Sequence, residues 1–368
     1  MPDLTPTTAG EMAGALREAS SARRSIALAG ARSKPRLGGP AAACEVSIST
    51  AALGRVVRFD PRDLTISVEA GLAWRELIKL LSEHRLMLPL DPPRADAATV
   101  GGVVATNVCG ARRRLYGTAR DSVIGLQYAT LDGTLAESGG MVVKNVAGLD
   151  VQKALIGSFG TLAALTVVNF KLTPLPELTR TFVLTRGSAE EASQARDRVL
   201  GGVLQPTAVD VVTRVAGVNG YALLVRAGGS EALLNRYARE LAPCDTLSIE
   251  AEAALWRTLD DFPVSSTYTV KVGHALTALP DVLKTAAGPV VARAGTGITY
   301  LGFDTPAAVR AWMERTAAAG WSRIIEWGPD DAGPRWPDAG ADLAWMRRLK
   351  ADFDPNGLLN PGRLHGRV

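Results

Sequence analysis

Three cysteines, three histidines and an aromatic content of 5% in 368 residues leave little material for several kinds of chemistry. Cys44, Cys109 and Cys244 are odd in number and far apart, so they build neither a disulfide framework nor a Cys-ligated zinc or iron–sulfur site within this chain. A reducing compartment is the simple expectation. His84, His274 and His365 form no H-x-x-H pair, and no metal site is expected. Charge of one sign is scarce too: Lys+Arg 41 against Asp+Glu 37 gives +4, with no basic stripe interleaved with aromatics, so nucleic-acid binding is not implied. No run of 18 apolar residues is long enough to span a bilayer, and Asp3 and Glu11 stand where a signal peptide would be apolar. The expected location is cytoplasmic, with any membrane association, peripheral at the inner face, arising only through a partner. Neither G-x-G-x-x-G after a strand nor G-x-x-x-x-G-K-S/T occurs, which disfavours a nicotinamide Rossmann domain or a P-loop.

What is abundant is glycine in clusters of small residues. Residues 98–121 hold Gly101-Gly102, Gly110 and Gly117 together with Arg112-Arg113-Arg114 and Arg120. Backbone can approach a phosphate ester only where no Cβ stands in the way, so this stretch reads as one wall of a dinucleotide site. Read alone, the glycine pair equally marks turns between strands. Gly30-Ala31-Arg32-Ser33-Lys34, directly after the strand-like Ile26–Ala29, is a second candidate: a Gly-initiated turn with two cations and a hydroxyl. The Arg112–Arg114 run reads as a solvated loop, with docking of an acidic partner or a supplement to the phosphate site as its other readings.

Periodicity supplies the frame. Met12, Ala15, Leu16 and Ala19 recur at helical spacing; Val56–Phe59 and Leu64–Ala70 flank the turn Asp60-Pro61-Arg62-Asp63; Trp74, Leu77, Ile78 and Leu81 mark an amphipathic helix. Val123–Leu131 and Thr134–Glu137 around Asp132-Gly133 predict a two-residue hairpin, and Leu165–Leu172 a strand closed off by Pro174 and Pro176. Residues 178–327 change character to two successive α+β sets, from which one antiparallel sheet with helices mostly on one face is inferred. A Pro/Gly/Asp-rich linker at 328–340 leads to a last helix through Leu343, Met346, Leu349 and Phe353, ended by the turn Asp354-Pro355-Asn356-Gly357.

The order of these segments carries a resemblance: Gly30–Lys34, Pro92-Pro93, Thr99-Val100-Gly101-Gly102, Gly117 with Arg120-Asp121, Lys144-Asn145-Val146-Ala147-Gly148, Gly157-Ser158-Phe159-Gly160-Thr161-Leu162, and Phe353 through Arg363. In this order the chain resembles the flavoprotein superfamily that includes vanillyl-alcohol oxidase and p-cresol methylhydroxylase, and within it the FAD-binding subunits of glycolate oxidases. The resemblance implies an α+β fold: a two-part PCMH-type FAD-binding domain over 1–177, an α+β cap or substrate domain with an antiparallel sheet over 178–330, and a return to the flavin domain over 331–368. It also implies non-covalent FAD, since the three histidines fall outside the family's attachment positions. Gly30, Ala31, Arg32, Ser33 and Lys34 would line the pyrophosphate and ribityl chain, and Thr99, Gly101 and Gly102 would face them. Gly160, Thr161 and Leu162 would sit near the adenine end, Asn360 and Arg363 would return to the flavin ring, and Pro93, Arg120, Asp121 and Gly148 would complete the set. Two departures from the family pattern are Arg32, for a small polar residue, and Leu149, for an aromatic.

The function implied is an FAD-binding subunit of a complex oxidising glycolate, a 2-hydroxy acid, with a histidine-rich sister flavoprotein subunit carrying catalysis and an iron–sulfur subunit taking the electrons. A stand-alone flavin oxidase for another small alcohol or hydroxy acid, and a flavin-free scaffold, are the alternatives. The candidate catalytic residues are few. His274 is either a base or substrate contact or an ordinary half-buried imidazole; Arg257 and Arg293 either clamp a carboxylate or serve as surface charge and ion-pair partners.

Overall fold

A computed structural model describes residues 3–39, 42–142, 149–337 and 339–366. The chain divides into two compact units, one of Met1–Val108, Gly117–Leu175 and Ala339–Val368, the other of Cys109–Tyr116 and Pro176–Asp338.

Besides a two-stranded antiparallel ladder of Leu86–Met87 with Thr173–Pro174, the first unit combines two larger sheets. In the smaller, Val46–Ser49 lies between Asp3–Leu4 and Ile26–Ala29, parallel to both. The larger is antiparallel, in the order Val56–Asp60, Thr65–Glu69, Ala164–Lys171, Val123–Ala129, Leu135–Gly139. The helix Ala9–Ser21 starts where the Thr8 hydroxyl accepts the Glu11 N–H (3.2 Å). Its apolar stripe Met12, Leu16 and Ala19 joins Ile26, Val46 and Ile48 of the small sheet to Ala129 and Ala164 of the large one in a single core. Leu359, from the far end of the chain, enters the same core. There it bridges to Ile26 in parallel, with Ile26 N–H donating to Leu358 O (2.7 Å) and Asn360 N–H to Ile26 O (2.8 Å).

The hairpin at 123–139 departs from the two-residue expectation. Thr130 pairs with Thr134 (3.0 Å), leaving three residues in the loop, with Gly133 in the left-handed region at φ 84°. Asp132 is the reason: its carboxylate accepts the Thr134 N–H (3.0 Å) and hydroxyl (3.1 Å), which favours the wider loop.

The second unit is one eight-stranded, wholly antiparallel sheet. Its order is Asp245–Thr246, Leu178–Arg186, Tyr221–Gly229, Ala208–Thr213, Val290–Arg293, Ile298–Phe303, Tyr268–Gly273, Ser322–Trp327. Helices Ala189–Gly201, Glu231–Glu240, Leu279–Thr285 and Pro306–Arg315 contribute Val199, Leu234, Val282 and Trp312 to the core on one face. The second face is also covered. Trp256 and Leu259 of the helix Ile249–Asp261 pack there with Val212, Leu224 and Tyr300, so four of these helices share one face, as expected, and this one covers the other.

Two stretches expected to be solvated are built into this unit. Ala111 is buried in the second-face core and Arg114 donates to Pro206 O (3.0 Å), so the 112–114 run is half-buried structure. The 328–337 stretch is held by buried Arg335, which donates to Asp330 (2.6 Å), to Ile325 O (3.2 Å) and to Gly328 O (2.5 Å) and whose carbonyl accepts the Ile325 N–H (2.8 Å), so the stretch folds back against the last strand. Among the described residues no helix is long and apolar enough to cross a membrane.

Candidate functional site: a glycine-lined cleft in the first unit

The strand Ile26–Ala29 runs straight into the Gly30–Lys34 turn, which forms one lip of an open cleft holding about 710 Å³ of empty space, its mouth included. Arg32 stands in the left-handed region at φ 51°, and its guanidinium is tied back to the Ser47 hydroxyl and the Asp3 carboxylate (3.3 Å). Arg32, a departure from the family pattern, is thus anchored to the neighbouring strands, and it braces the turn. The backbone N–H groups of Ala31, Arg32 and Ser33 donate to no protein acceptor among the described residues. Lys34 is buried, with its ammonium donating to Ser33 Oγ (3.1 Å) and Pro93 O (3.3 Å), which brings Pro93 to the same lip.

The opposite lip is the start of a short helix, Val100–Thr106. Thr99 caps it, its hydroxyl accepting the Gly102 N–H at 3.4 Å. Two glycines set how close these segments come. A Cβ on Gly30 would collide with Thr99 Oγ1, and one on Gly101 would stand 2.8 Å from Ala70 Cβ. Gly101 donates its own N–H to Ala70 O (2.7 Å), so its role is packing of the helix against the sheet, not donation into the cleft.

Phe159 and Gly160, both at positive φ (56° and 68°), make the third wall, and Arg363 closes it. The Arg363 guanidinium donates to Pro35 O (3.0 Å) and Gly39 O (2.7 Å), and lies 5.6 Å from the Phe159 ring centre. Phe159 and Thr106 are lining residues that sequence reasoning missed; the only signal for Phe159 was its position between Gly157 and Gly160.

Several expected site residues lie elsewhere. Asn360 is buried beneath the cleft with its amide engaged by backbone: it accepts from Leu28 N–H (2.8 Å) and donates to Leu28 O (3.0 Å), Phe159 O (2.9 Å) and Gly160 O (3.2 Å). It staples two walls together, and no donor is left to reach a ring. Asn360→Ala removes all four bonds; an expected loss of about 2–3 kcal/mol is checked by chemical denaturation of the full chain. Arg120, Thr161 and Leu162 line a separate cavity with Lys153, Met346 and Leu349. Asp121 caps the four-residue helix Ala119–Ser122 by accepting the Thr118 N–H (2.8 Å). Gly148, with the rest of Lys144–Gly148, lies outside the described residues.

In the second unit, Arg257 is exposed and Arg293 is consumed by structure: fully buried, it meets Asp210 (2.5 Å), Asp260 (3.2 Å) and Leu259 O (2.8 Å). It has no face left for a substrate carboxylate. His274 bonds Ala275 O through Nδ1 (2.9 Å) and Thr299 Oγ1 through Nε2 (2.9 Å), which suits the neutral Nδ1–H tautomer. Burial pushes its pKa below the ordinary 6.5. The unfolded chain therefore takes up a proton that the folded chain refuses, and stability falls as pH drops below about 6.5. His274→Gln is expected to flatten that acid limb in melting curves recorded from neutral to mildly acid pH.

With the geometry in hand, residues 3–152 match the FAD binding domain family, and residues 338–364 match the C-terminal domain of FAD linked oxidases. The chain is an FAD-dependent oxidoreductase with an FAD binding domain. Glycolate oxidase subunit GlcE of Escherichia coli K12 is 26% identical over 364 residues, 95% of each chain. Glycolate oxidase subunit GlcD of Bacillus subtilis 168 is 24% identical over 368 residues, covering 85% of this chain and 77% of the relative. The mitochondrial D-lactate dehydrogenase (cytochrome) of Arabidopsis thaliana is 30% identical over 170 residues, 46% of this chain and 30% of that one. Among solved structures, an alkyldihydroxyacetonephosphate synthase superposes with a TM-score of 0.73 over 97% of this chain and 75% of its own, at 17% identity, which speaks to the fold. The α+β, PCMH-type architecture expected from the motif order is the fold of this FAD-dependent oxidoreductase.

The cleft fits the group. A pyrophosphate needs N–H donors and positive charge, and the Gly30–Lys34 lip supplies three unengaged donors beside the Lys34 ammonium. None of the three histidines lines the cleft.

Proposed function

We propose that this chain is the FAD-binding subunit of a glycolate oxidase-type complex, in which a small 2-hydroxy acid is oxidised to the 2-oxo acid and electrons leave through partner subunits. The observation that carries this reading is the likeness to the glycolate oxidase subunit GlcE along 95% of both chains, with the Gly30–Lys34 and Thr99–Gly102 segments facing each other across one cleft. On this reading the Gly30–Lys34 turn holds the pyrophosphate, Thr99 and Gly102 approach it from the other lip, Gly160 and Arg363 close the third wall, and the second unit is the cap or substrate domain. Bound FAD supplies the hydride acceptor at its flavin ring. The protein's work is to bind and orient: Lys34 and the turn's N–H groups fix the anionic end, and Asn360 keeps the walls at a constant separation. The sister flavoprotein, the iron–sulfur partner and the cytoplasmic, membrane-peripheral setting belong to the same proposal.

The test is anaerobic addition of glycolate to the purified chain, alone and together with its partner subunits, while flavin absorbance is followed. Slow bleaching alone and fast bleaching in the complex is the expected result. Fast bleaching by the isolated chain overturns the division of labour and makes it a stand-alone flavin enzyme.

A further inference from the structure

The first unit holds a second cavity that none of the preceding chemistry uses, with about 880 Å³ of empty space, its mouth included. Buried Ile156, Leu162 and Leu364 line it, and Met346 and Leu349 of the helix Asp342–Phe353 wall it on another side. That helix carries Leu343, Met346, Leu349 and Phe353 along one stripe, yet each of them is only half-buried. Its one buried side chain is Lys350, whose ammonium ties the last turns to Thr161 O (2.8 Å) and Leu359 O (2.7 Å). Polar anchoring at one end thus holds the helix in place, and the aliphatic groups of its earlier turns keep water on one side.

Apolar surface continues outside the mouth. Trp345, next to Met346, is 70% exposed, with the Arg348 guanidinium 5.9 Å from its ring centre, and Leu149, next to Asp150 of the rim, is 84% exposed. Among the described residues these are the two most exposed large apolar side chains of the first unit. A concave apolar surface beside an exposed tryptophan and arginine has the composition of the centre of a protein–protein contact. Neither Trp345 nor Leu149 lines the cavity itself, so an occupant that covers them reaches well past it, which a small ligand does not.

The rim sets the charge of that occupant. The Arg120 guanidinium donates to Ile156 O (3.3 Å) and the Lys153 ammonium to Arg120 O, and neither meets a carboxylate among the described residues. Carboxylates on the neighbouring segments are engaged otherwise. Asp150 accepts from Gln152 Nε2 (3.0 Å), Asp121 accepts the Thr118 N–H (2.8 Å), Asp352 faces a different cavity beside Asp132, and Asp342 sits in the first turn of the last helix, where it complements the helix N-terminus. Two cations whose acceptors are carbonyl oxygens are complemented by carboxylates supplied from outside.

Resting on the reading that the chain works in a multi-subunit complex, we propose that this cavity is the docking site for an acidic amphipathic segment of a partner subunit. Aliphatic side chains of that segment enter between Leu162 and Met346, its carboxylates meet Arg120 and Lys153, and its flank covers Trp345. The unbranched Met346 side chain adapts to their shape. The cavity shares no lining residue with the Gly30–Lys34 cleft, so docking and flavin binding are separable.

Sedimentation of the FAD-loaded full chain mixed with each purified partner subunit in turn tests this. Wild type is expected to bind one of them, with an affinity that falls as salt rises. Trp345→Ala weakens that binding at least about thirtyfold, the effect of truncating an anchor residue. Met346→Glu, which sets a carboxylate in the cavity, weakens it as strongly, and Lys153→Glu weakens it about tenfold and flattens the salt dependence. Trp345 and Lys153 lie outside the core, so loss of folding in Met346→Glu leaves the test intact; melting curves and flavin absorbance of the other two variants are expected to match wild type. Unchanged binding of every partner subunit by Trp345→Ala and Lys153→Glu overturns the docking site alone. A chain that dimerises by itself through Trp345 overturns it as well, because a second copy is then the occupant. Wild type that binds no partner subunit contradicts the complex reading together with the site.

Discussion

Gly30→Val is expected to leave the purified chain colourless. A side chain at residue 30 has nowhere to go: its first carbon would already collide with Thr99 Oγ1, the atom that caps the helix Val100–Thr106. Two adjustments are open, and each harms the cleft. If Thr99 yields, the Gly102 N–H loses its acceptor and the helix start shifts. If the Gly30 backbone yields, the N–H groups of Ala31, Arg32 and Ser33 lose their common aim. Overpacking of this kind costs up to about 3 kcal/mol, on the order of a hundredfold in affinity. Fluorescence titration with FAD reads that loss directly. The control is Gly10→Ala, where the added carbon meets nothing within 4 Å and flavin binding is expected to be unchanged.

The second large effect is expected at Lys350. On the last helix, Asp342–Phe353, it is the one buried side chain, and its ammonium donates to Thr161 O (2.8 Å), Leu359 O (2.7 Å) and Asp354 Oδ2 (2.6 Å). Asp354 in turn accepts the N–H groups of Leu358 (2.9 Å) and Leu359 (2.7 Å). The pair thereby fixes the Asp354–Asn360 turn and sends Leu359 into the core and Asn360 under the cleft. Burial pulls the Lys350 pKa down, and the Asp354 carboxylate opposes that pull. Lys350→Met leaves the Asp354 carboxylate buried without its counter-charge, a change worth about 3–5 kcal/mol. The expected outcome is a lowered melting temperature together with weaker FAD retention, because Arg363 and Asn360 lie just beyond the turn. Lys350→Arg, which keeps the charge but not the compact ammonium, is expected to recover only part of both.

Much of this was legible in the residues, and the failures share a cause. Local chemistry named the elements: the apolar stripe Met12, Leu16 and Ala19, Asp60-Pro61 between two strands, and Gly30–Lys34 after Ile26–Ala29 each produced the expected local structure. Long-range partnership was not legible. Arg293 and Arg335 look like any surface arginine until Asp210 and the Ile325 carbonyl are placed beside them. Asn360, read as a flavin contact, is used up by Leu28, Phe159 and Gly160, which are 200 or more residues away in the chain. Arg120 and Thr161 belong to motifs adjacent to the cleft, yet they line the far side of the Gly157–Leu162 turn. The bulge that sets Glu326 beside Lys271 depends on strand register, which no single strand's sequence encodes.

The cleft between Gly30–Lys34 and Thr99–Gly102 is the proposed place where FAD is held. The measurement that bears on it most directly is the visible absorption spectrum of the purified full-length chain beside that of Gly30→Val, with released cofactor identified by chromatography. A flavin spectrum and released FAD from wild type, and neither from a folded Gly30→Val, is the predicted result. Equal flavin content in the two proteins would contradict the account and move the cofactor to another part of the chain.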